Sequence, residues 1–528
     1  MVSGMSPAER RFALALPLGF GLLAVLLGKD NNWDLLHYHY YNPYSWLHGR
    51  SGFDVLAADY HVFFNPLLDL PFYLGSQVLP AAALTFLLGA VHGVNGVLLW
   101  RIARHVLPGA RLLPAVVMLI GMLGAGSLFV MGTTYYDTVA ALPIYVAIWL
   151  IARAGLVAFE GPLRRSLPIL LAAGVAAGAG VGLKQTGVVL AGGIGVAILL
   201  LPGRRIPHAA AYGMGILLGV ALTAGFWLWH LWQVTGNPLF PYFNDLFRSP
   251  LGPVGNNRTH HAMPRSLFEA VFWPFVFTRT PSRIDSSVRD VKLLLAYLVV
   301  PAGILFALLG RQRVRDMEAA KRLGLFLLVA GAATYAIWLH LFSIYRYLVP
   351  LEMMVPLLLV AAAGFLPLAP RAGRWAAAGL LVLAVPMQPT NPDRTPWNGR
   401  QLDRFVEVAP PAGMDLSGAM IVVPGYHRGW EPNAFVIPFF PPDVPFLRIL
   451  AFDNPAERLA TGFEAMATER IAAHAGPFFA LVLPHAEGHV AASLARHGLL
   501  ADFAGCRPLV ANIGKPLELC PVRRGAPG

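Results

Sequence analysis

The chain has 528 residues, of which 56% are hydrophobic and only 13% are charged. This composition excludes a soluble enzyme and is typical of a polytopic α-helical membrane protein. The formal charge of +12 does not indicate a nucleic-acid face, because residues 388–528 hold 12 basic and 13 acidic residues and the preceding residues hold 28 and 15. The positive excess therefore lies in the apolar part, where it orients helices and meets phosphates.

Eleven apolar runs, nearly free of charged side chains, predict about eleven membrane-spanning helices. About 20 residues cross a bilayer core, so the shorter runs need help from flanking residues. Residues 167–201 could instead form one long re-entrant element. The eleven runs are residues 12–28, 81–100, 112–132, 138–152, 167–183, 185–201, 206–229, 293–310, 323–345, 347–370 and 375–388.

Arginine clusters between the runs predict how the spans are oriented, because basic loops stay in the cytoplasm. With eleven spans, all of these clusters fall on the side of the N-terminus. We therefore expect a cytoplasmic N-terminus and an external C-terminus. The clusters comprise Arg101, Arg104 and Arg111; Arg153, Arg164 and Arg165; Arg204 and Arg205; residues 311–322; and Arg371 with Arg374.

Three long segments lie on the external side in this topology: residues 29–80, residues 230–292 and the tail after residue 388. The tail mixes short β-like runs (AMIVVPG, FFALVLP, RPLVANIG) with a helix-like EGHVAASLARHGL, which predicts a small α/β domain. A Pro/Asn-rich linker opens it. We therefore divide the chain into a membrane domain, residues 1–388, and a periplasmic α/β domain, residues 389–528.

The tail also carries the two cysteines of the chain, Cys506 and Cys520. Their spacing of 14 residues fits a disulfide across a hairpin in an oxidising compartment. Two unpaired buried thiols are the alternative.

The first external segment opens with NNWDLLHYHYYNPYSWLHGR, residues 31–50. Helical spacing places Asp34, His37, Tyr38 and Tyr41 on one face. Pro43 then breaks the turn and can begin a second short helix that ends near residue 49. This pattern predicts a helix in the external interface of the membrane, with its tyrosines at the level of the lipid headgroups.

The position of Asp34 needs an explanation, because a carboxylate beside the hydrocarbon costs free energy unless it is paired or has a function. A partly desolvated aspartate can remove the proton of a hydroxyl acceptor as an electrophile arrives. The structural alternative is a helix N-cap or a partner for Lys29.

A second acid, Asp137, begins the fourth span on the same side. It could act together with Asp34, or it could be a plain N-cap. Asp59 and His61, with His37 and His39, would also suit a divalent cation, although their spacing matches no recognised metal signature.

Two cations lie between apolar spans at the same boundary: Lys184 in GLKQTG and Arg346 in YRYLVP. Neither has an acid beside it in sequence. A half-buried cation prefers a phosphate oxygen, and arginine can bind one through two parallel hydrogen bonds. The phosphate could belong to a lipid headgroup, but the glycine-rich spans around Lys184 favour a lipid-phosphate substrate.

Together these pieces resemble the GT-C superfamily of polyprenyl-phosphate-sugar glycosyltransferases, in particular the bacterial branch of protein O-mannosyltransferases and the lipid A aminoarabinose transferase. The likeness covers residues 10–388 and consists of an Asp after the first span, an Asp opening the fourth, and four short motifs. FFNPLLDLPFY is similar to a PPL juxtamembrane helix, GLKQTG to a TKG turn, TGNPLFPYFN to a TGNP segment and YRYLVP to an RYLLP motif. Unlike the mannosyltransferases, this chain has no second acid adjacent to Asp34.

The resemblance implies an inverting transfer at the periplasmic face of the bacterial inner membrane, from a polyprenyl-phosphate sugar to a glycan, lipid or protein acceptor. Asp34 would be the general base and Asp137 a second acid that positions the acceptor or a divalent metal. Lys184 and Arg346, with Tyr345 or Tyr347, would stabilise the leaving phosphate. His37, Tyr38 and Tyr41 would line the sugar site.

The alternative function is a multi-span transporter or lipid flippase with a periplasmic accessory domain. A transporter should show charges near the membrane midplane and broken spans at matching positions of two halves. The charges of this chain are instead predicted at the external boundary, and no symmetry of halves is visible. The transferase is therefore the leading hypothesis.

Overall fold

The computed structural model describes residues 5–201, 203–252, 261–310, 314–385, 387–388, 393–399, 403–425, 433–449 and 461–525. Most of these residues are helical. The α-helices are Pro7–Leu27, Tyr41–Leu47, Leu70–Val78, Ala81–Val106, Leu113–Met122, Ala125–Val130, Asp137–Ala154, Leu156–Glu160, Leu163–Leu183, Val188–Leu200, Arg205–Thr235, Asn244–Phe247, Leu267–Val271, Trp273–Arg279, Lys292–Leu309, Ala319–Leu341, Val349–Ala363, Pro370–Leu383, Thr461–Ala473 and Glu487–Ala495.

Within the described residues, eight helical segments are long and apolar enough to cross a membrane. Each overlaps one of the eleven predicted runs, as expected for a helical polytopic membrane protein, and the total of eleven spans stays a prediction. The eight are Pro7–Leu27, Ala81–Val106, Asp137–Ala154, Leu163–Leu183, Arg205–Thr235, Lys292–Leu309, Ala319–Leu341 and Tyr345–Ala363.

The other three predicted runs form shorter helices. Residues 185–201 give a 3-10 turn and then Val188–Leu200, and residues 375–388 overlap a helix, Pro370–Leu383, of only 14 residues. Residues 112–132 break at Gly124. A side chain at Gly124 would overlap the Glu352 carboxylate. The glycine therefore leaves room for a charged group that packs against the chain at this break.

Small residues allow two of the long helices to pack closely. A Cβ at Gly174 would overlap the Tyr212 carbonyl oxygen, and a Cβ at Gly178 would overlap that of Ile216. Glycines four residues apart that let backbones approach are a common basis of helix association in membranes. The Leu163–Leu183 helix, which ends at Lys184, is thereby fixed against its neighbour.

The chain forms two compact units, each built from three segments. The helical unit comprises Met1–Leu27, Thr85–Gly225 and Thr259–Pro392, and the sheet unit comprises Gly28–Leu84, Phe226–Arg258 and Asp393–Gly528. This division differs from the contiguous one expected at residues 388/389. Two segments from earlier in the chain pack in the same unit as the tail, as when the Arg448 N–H donates to the carbonyl oxygen of Val55 at 2.9 Å.

The strands, in chain order, are β1 Lys29–Asp30, β2 Arg289–Asp290, β3 Met387–Gln388, β4 Arg394–Thr395, β5 Val408–Ala409, β6 Met420–Pro424, β7 Phe446–Ile449, β8 Phe478–Val482, β9 Leu499–Ala501, β10 Arg507–Ala511 and β11 Leu517–Arg524. Seven of them form one mixed sheet in the order β5-β10-β11-β8-β6-β7, with β9 paired to β11. β6 runs parallel to β7 and β8, and the other pairs are antiparallel.

The small sheet domain predicted for the tail is present. The three β-like runs form β6, β8 and β10, and the helix-like run forms Glu487–Ala495. The disulfide is confirmed, since Cys506 is bonded to Cys520. It joins the residue before β10 to a residue of β11, across the hairpin that the spacing indicated.

Candidate functional site

The carboxylate of Asp137 lies close to both predicted cations of the helical unit, Lys184 and Arg346. Lys184 Nζ lies 2.6 Å from Asp137 Oδ1, and Arg346 Nη1 lies 3.9 Å from Asp137 Oδ2. Asp137 is therefore more than an N-cap, and the two cations without an acidic neighbour in sequence share one in space. We call Asp137, Lys184 and Arg346 the cation cluster.

Each member of the cation cluster lies where an apolar helix begins or ends. Asp137 is the first residue of the Asp137–Ala154 helix, and it follows Tyr136, whose backbone is left-handed at φ 58°. Lys184 is the C-cap of Leu163–Leu183. Arg346 lies in the 3-10 turn before Val349–Ala363. Helix ends place charged groups at the boundary of an apolar bundle rather than in its middle.

Two tyrosines line the cations. The Arg346 guanidinium lies 4.0 Å from the centre of the Tyr135 ring, and Lys184 Nζ also donates a hydrogen bond to the Tyr135 carbonyl oxygen. The Tyr347 ring lies 5.6 Å from the guanidinium and 5.8 Å from the ammonium. These rings orient both cations through cation–π contacts. Sequence reasoning missed Tyr135, although the repeated tyrosine immediately before Asp137 was a usable signal.

The two cations of the cation cluster can be reached by a ligand. Lys184 and Arg346 both face the Asp137 carboxylate. Asp137 is 1% exposed in its side chain, whereas Lys184 is 14% and Arg346 15% exposed. Such an arrangement can bind an anion such as a phosphate.

Tyr345, also predicted at this site, lies in a different environment. Its ring packs where a side chain at Gly126 would otherwise fit, next to the Glu352 carboxylate. Glu352 and Asp290 both pair with Lys292, and all three side chains are fully buried. We call Asp290, Lys292 and Glu352 the buried triad. Sequence reasoning did not identify it, because its members come from segments 60 residues apart and meet only in the folded chain.

In the sheet unit, Asp34 lies beside an imidazole held by a second acid. His39 Nδ1 is 2.6 Å from Asp69 Oδ1, and His39 Nε2 is 4.0 Å from Asp34 Oδ2. Asp34 makes no side-chain cap hydrogen bond to the helical turn that follows it, and Lys29 donates to the Arg404 carbonyl oxygen at 3.1 Å. Asp69 thus holds the imidazole ring of His39 beside the Asp34 carboxylate.

The three other predicted residues of this stretch separate into two groups. His37 lies against His61, with ring centres 5.0 Å apart, and Tyr38 stacks on His61 at 5.1 Å. Tyr41 instead donates a 2.7 Å hydrogen bond to Asp54, and burial raises its pKa well above the ordinary value. Tyr41 thus belongs to a buried polar network and Tyr38 to an aromatic cluster.

The predicted interfacial helix is corrected in two respects. Residues 35–39 form a π-helical turn and residues 41–47 a short α-helix, so the face expected from regular α-helical spacing is not kept. The four tyrosines of the stretch are buried inside the sheet unit, so they do not present their rings to lipid headgroups. The reason is that segments distant in sequence, including residues 434–439, pack over this stretch.

His37, Asp59 and His61 come together, as the metal hypothesis for Asp59 and His61 anticipated. Their potential ligand atoms all lie within 4.8 Å of one another. His39, which the hypothesis also considered, is engaged with Asp69. Burial, together with the nearby His61 and Arg448, holds the pKa of His37 well below its usual value, so this imidazole is neutral and has a lone pair to offer.

No protein-family model, curated protein or solved structure matches the chain.

Proposed function

We propose that this protein is an inverting membrane glycosyltransferase that moves a sugar from a polyprenyl-phosphate donor to an acceptor at the periplasmic face of the bacterial inner membrane. The observation that carries the proposal is the cation cluster. A polyprenyl phosphate joins a long apolar chain to an anionic head. The cation cluster places two partly exposed cations at the ends of apolar helices, which suits such a molecule.

The cation cluster would act on the leaving group. When the bond between the anomeric carbon and the phosphate oxygen breaks, the electron pair stays on the polyprenyl phosphate. Fixed cations aimed at the place where this charge develops lower the barrier, because they stabilise the transition state more than the ground state. Arg346, held over the Tyr135 ring, and Lys184 are suited to that task.

Asp34 would act on the acceptor. The acceptor oxygen forms the new bond to the anomeric carbon on the face opposite the phosphate, and its proton passes to the Asp34 carboxylate. His39 stands 4.0 Å away and is held by Asp69, so its imidazole ring lies beside the Asp34 carboxylate.

The test uses a strain that lacks the gene. Mass spectrometry of lipid-linked sugars and envelope glycans should show that one lipid-linked sugar accumulates and one glycan loses that sugar. Wild-type protein should restore the glycan, whereas Asp34→Asn should not. Asp245→Asn, at an exposed acid of the sheet unit, is the matched control and should behave as wild type.

A second measurement separates transfer from transport. Purified protein in liposomes, supplied with the accumulated lipid fraction and an extract of the deletion strain, should release free polyprenyl phosphate. A flippase would move the intact lipid between leaflets without releasing it. Restoration of the glycan by Asp34→Asn, or movement without release, would refute the proposal.

A further inference from the structure

His37, Asp59 and His61 of the sheet unit form a compact set of ligand-type atoms. One atom from each residue lies within 4.8 Å of the other two, and His61 Nδ1 is 3.6 Å from Asp59 Oδ2. The first residue comes from the π-helical turn and the other two from the Asp59–Phe63 3-10 turn. The two turns pack against each other, so the fold itself brings the three side chains together.

These side chains leave polar atoms buried without hydrogen bonds. Within the described residues, both ring nitrogens of His37, Oδ1 of Asp59 and Nδ1 of His61 are inaccessible and have no hydrogen-bond partner. A buried polar atom without a partner destabilises the fold, and native proteins hold few of them. Four such atoms in one small cluster indicate a ligand that contacts several of them at once.

The surroundings of the cluster suit a cation of intermediate softness. The Trp33 ring lies tilted against His37, with ring centres 4.3 Å apart. Phe64 contacts His61 edge-on, so aromatic rings flank the site, and the His61 side chain is 30% exposed. Arg448 contributes a positive charge, but its guanidinium is occupied by the carbonyl oxygens of Leu56 and Ala57. The Asp59 carboxylate supplies the negative charge that offsets it.

The chemistry of the donors selects the metal. Two imidazole nitrogens and one carboxylate oxygen are a common ligand set for Zn²⁺, whereas Mg²⁺ and Ca²⁺ take oxygen ligands almost alone. Three protein ligands leave a fourth position of a tetrahedral ion for water or a substrate oxygen. Asp59 has a left-handed backbone at φ 53°, which aspartate tolerates better than most residues.

We propose that His37, Asp59 and His61 bind one Zn²⁺ ion. This inference goes beyond the proposed function and does not depend on it, because binding of the metal needs neither donor nor acceptor. A bound Zn²⁺ ion would add a Lewis acid, which amino-acid side chains do not supply, beside the aromatic side chains of the sheet unit.

The test measures metal binding by the full-length protein, purified in detergent with a tag that contains no histidine. The protein is stripped with chelator, incubated with micromolar Zn²⁺, desalted and analysed for bound metal by mass spectrometry. About one Zn²⁺ per chain is expected for wild type. His261→Ala, at an exposed histidine outside the cluster, should retain the same amount, and the double variant His37→Ala/His61→Ala should lose at least nine-tenths of it.

Two further measurements guard against a variant that fails to fold. Asp59→Asn keeps the size of the side chain and should weaken Zn²⁺ binding by about 10-fold or more, as loss of a charged ligand does. Co²⁺ added to stripped wild-type protein should give the visible absorption of a tetrahedral site. Wild-type protein that retains no Zn²⁺, or a double variant that retains as much as wild type, would overturn the proposal, whatever the outcome of the transferase assays.

Discussion

The cation cluster and the buried triad are both groups of three charged side chains in the helical unit, yet they differ in charge and in exposure. The buried triad has two carboxylates around one ammonium, and its side chains are fully buried. The cation cluster has two cations around one carboxylate, and both cations remain partly exposed.

This difference distinguishes a structural ion group from a binding site. Lys292 finds its counter-charges inside the protein, so a ligand has nothing to add. Breaking such a group strands a charge in an apolar interior. The cations of the cation cluster instead remain partly exposed and within reach of a ligand, so their removal should affect binding more than folding.

Lys292→Met should give the largest effect on stability. The substitution leaves Asp290 and Glu352 buried together without a cation, at a cost of about 3–5 kcal/mol. We expect loss of monodisperse protein after extraction in detergent, or a large fall in the thermal midpoint followed by tryptophan fluorescence.

Glu352→Gln is the matched control for Lys292→Met. It keeps the Lys292–Asp290 pair and removes one of two carboxylates, so it should be much less destabilising. If Lys292→Met were as stable as wild type, the structural role of the buried triad would be disproved.

Arg346→Ala should affect function rather than folding. The variant keeps the Asp137–Lys184 pair, so its thermal midpoint should stay near that of wild type. Its transfer rate should fall by about 10²–10³-fold, the usual cost of losing one charge-stabilising group, and its affinity for the lipid-phosphate donor should weaken. Arg371→Ala, at an exposed arginine of another helix, serves as control. Unchanged donor affinity would remove Arg346 from the site.

Lys29 of the sheet unit is a third kind of charged group. Its buried ammonium donates to a carbonyl oxygen and lies over the Phe405 ring. Burial lowers its pKa to about 8, and Glu407 opposes part of that shift. Since the unfolded lysine titrates near 10.5, the unfolded state binds more protons between these values. Stability should therefore rise as the pH increases from 8 to 10.5, by at most about 3 kcal/mol, and should not change from this source below pH 8.

The measurement for Lys29 is the thermal midpoint between pH 7 and pH 10 for wild type and Lys29→Met. The difference between the two proteins should change only in the upper part of the range. Parallel profiles would show that Lys29 keeps its proton throughout.

Tyr135→Leu should give the smallest effect. The substitution removes the ring under the Arg346 guanidinium, and partly exposed cation–π contacts contribute about 0.5–1 kcal/mol. We expect donor affinity to fall two- to five-fold, with Tyr135→Phe close to wild type because it keeps the ring. Equal affinities for the Leu and Phe variants would mean that the ring does not orient Arg346.

The sequence was most informative where the pattern is local. Long apolar runs predicted eight of the long helices, and alternating β-like runs predicted β6, β8 and β10. The disulfide followed from spacing and from the character of the tail. These features depend on neighbouring residues, which one sequence displays directly.

The sequence was least informative where distant segments meet. It identified Lys184 and Arg346 as cations that needed an anion, but not that Asp137 already faces both of them. It treated residues 31–50 as an interfacial helix, because nothing local indicates that the tail would cover them. The π-helical turn was not predicted either, because a period of 3.6 residues does not describe a turn with a different hydrogen-bond pattern.

The three-segment origin of the sheet unit has a consequence for biogenesis. Residues 28–84 leave the ribosome early, whereas the last segment of the same unit begins at residue 393, so more than 300 residues are translated in between. Until then Arg50 and Asp54 lack the Pro442 and Val444 carbonyls and the Phe446 amide that complete their hydrogen bonds. A nascent chain that stops before β7 would therefore leave its earliest loop without its native hydrogen-bond partners and open to proteolysis.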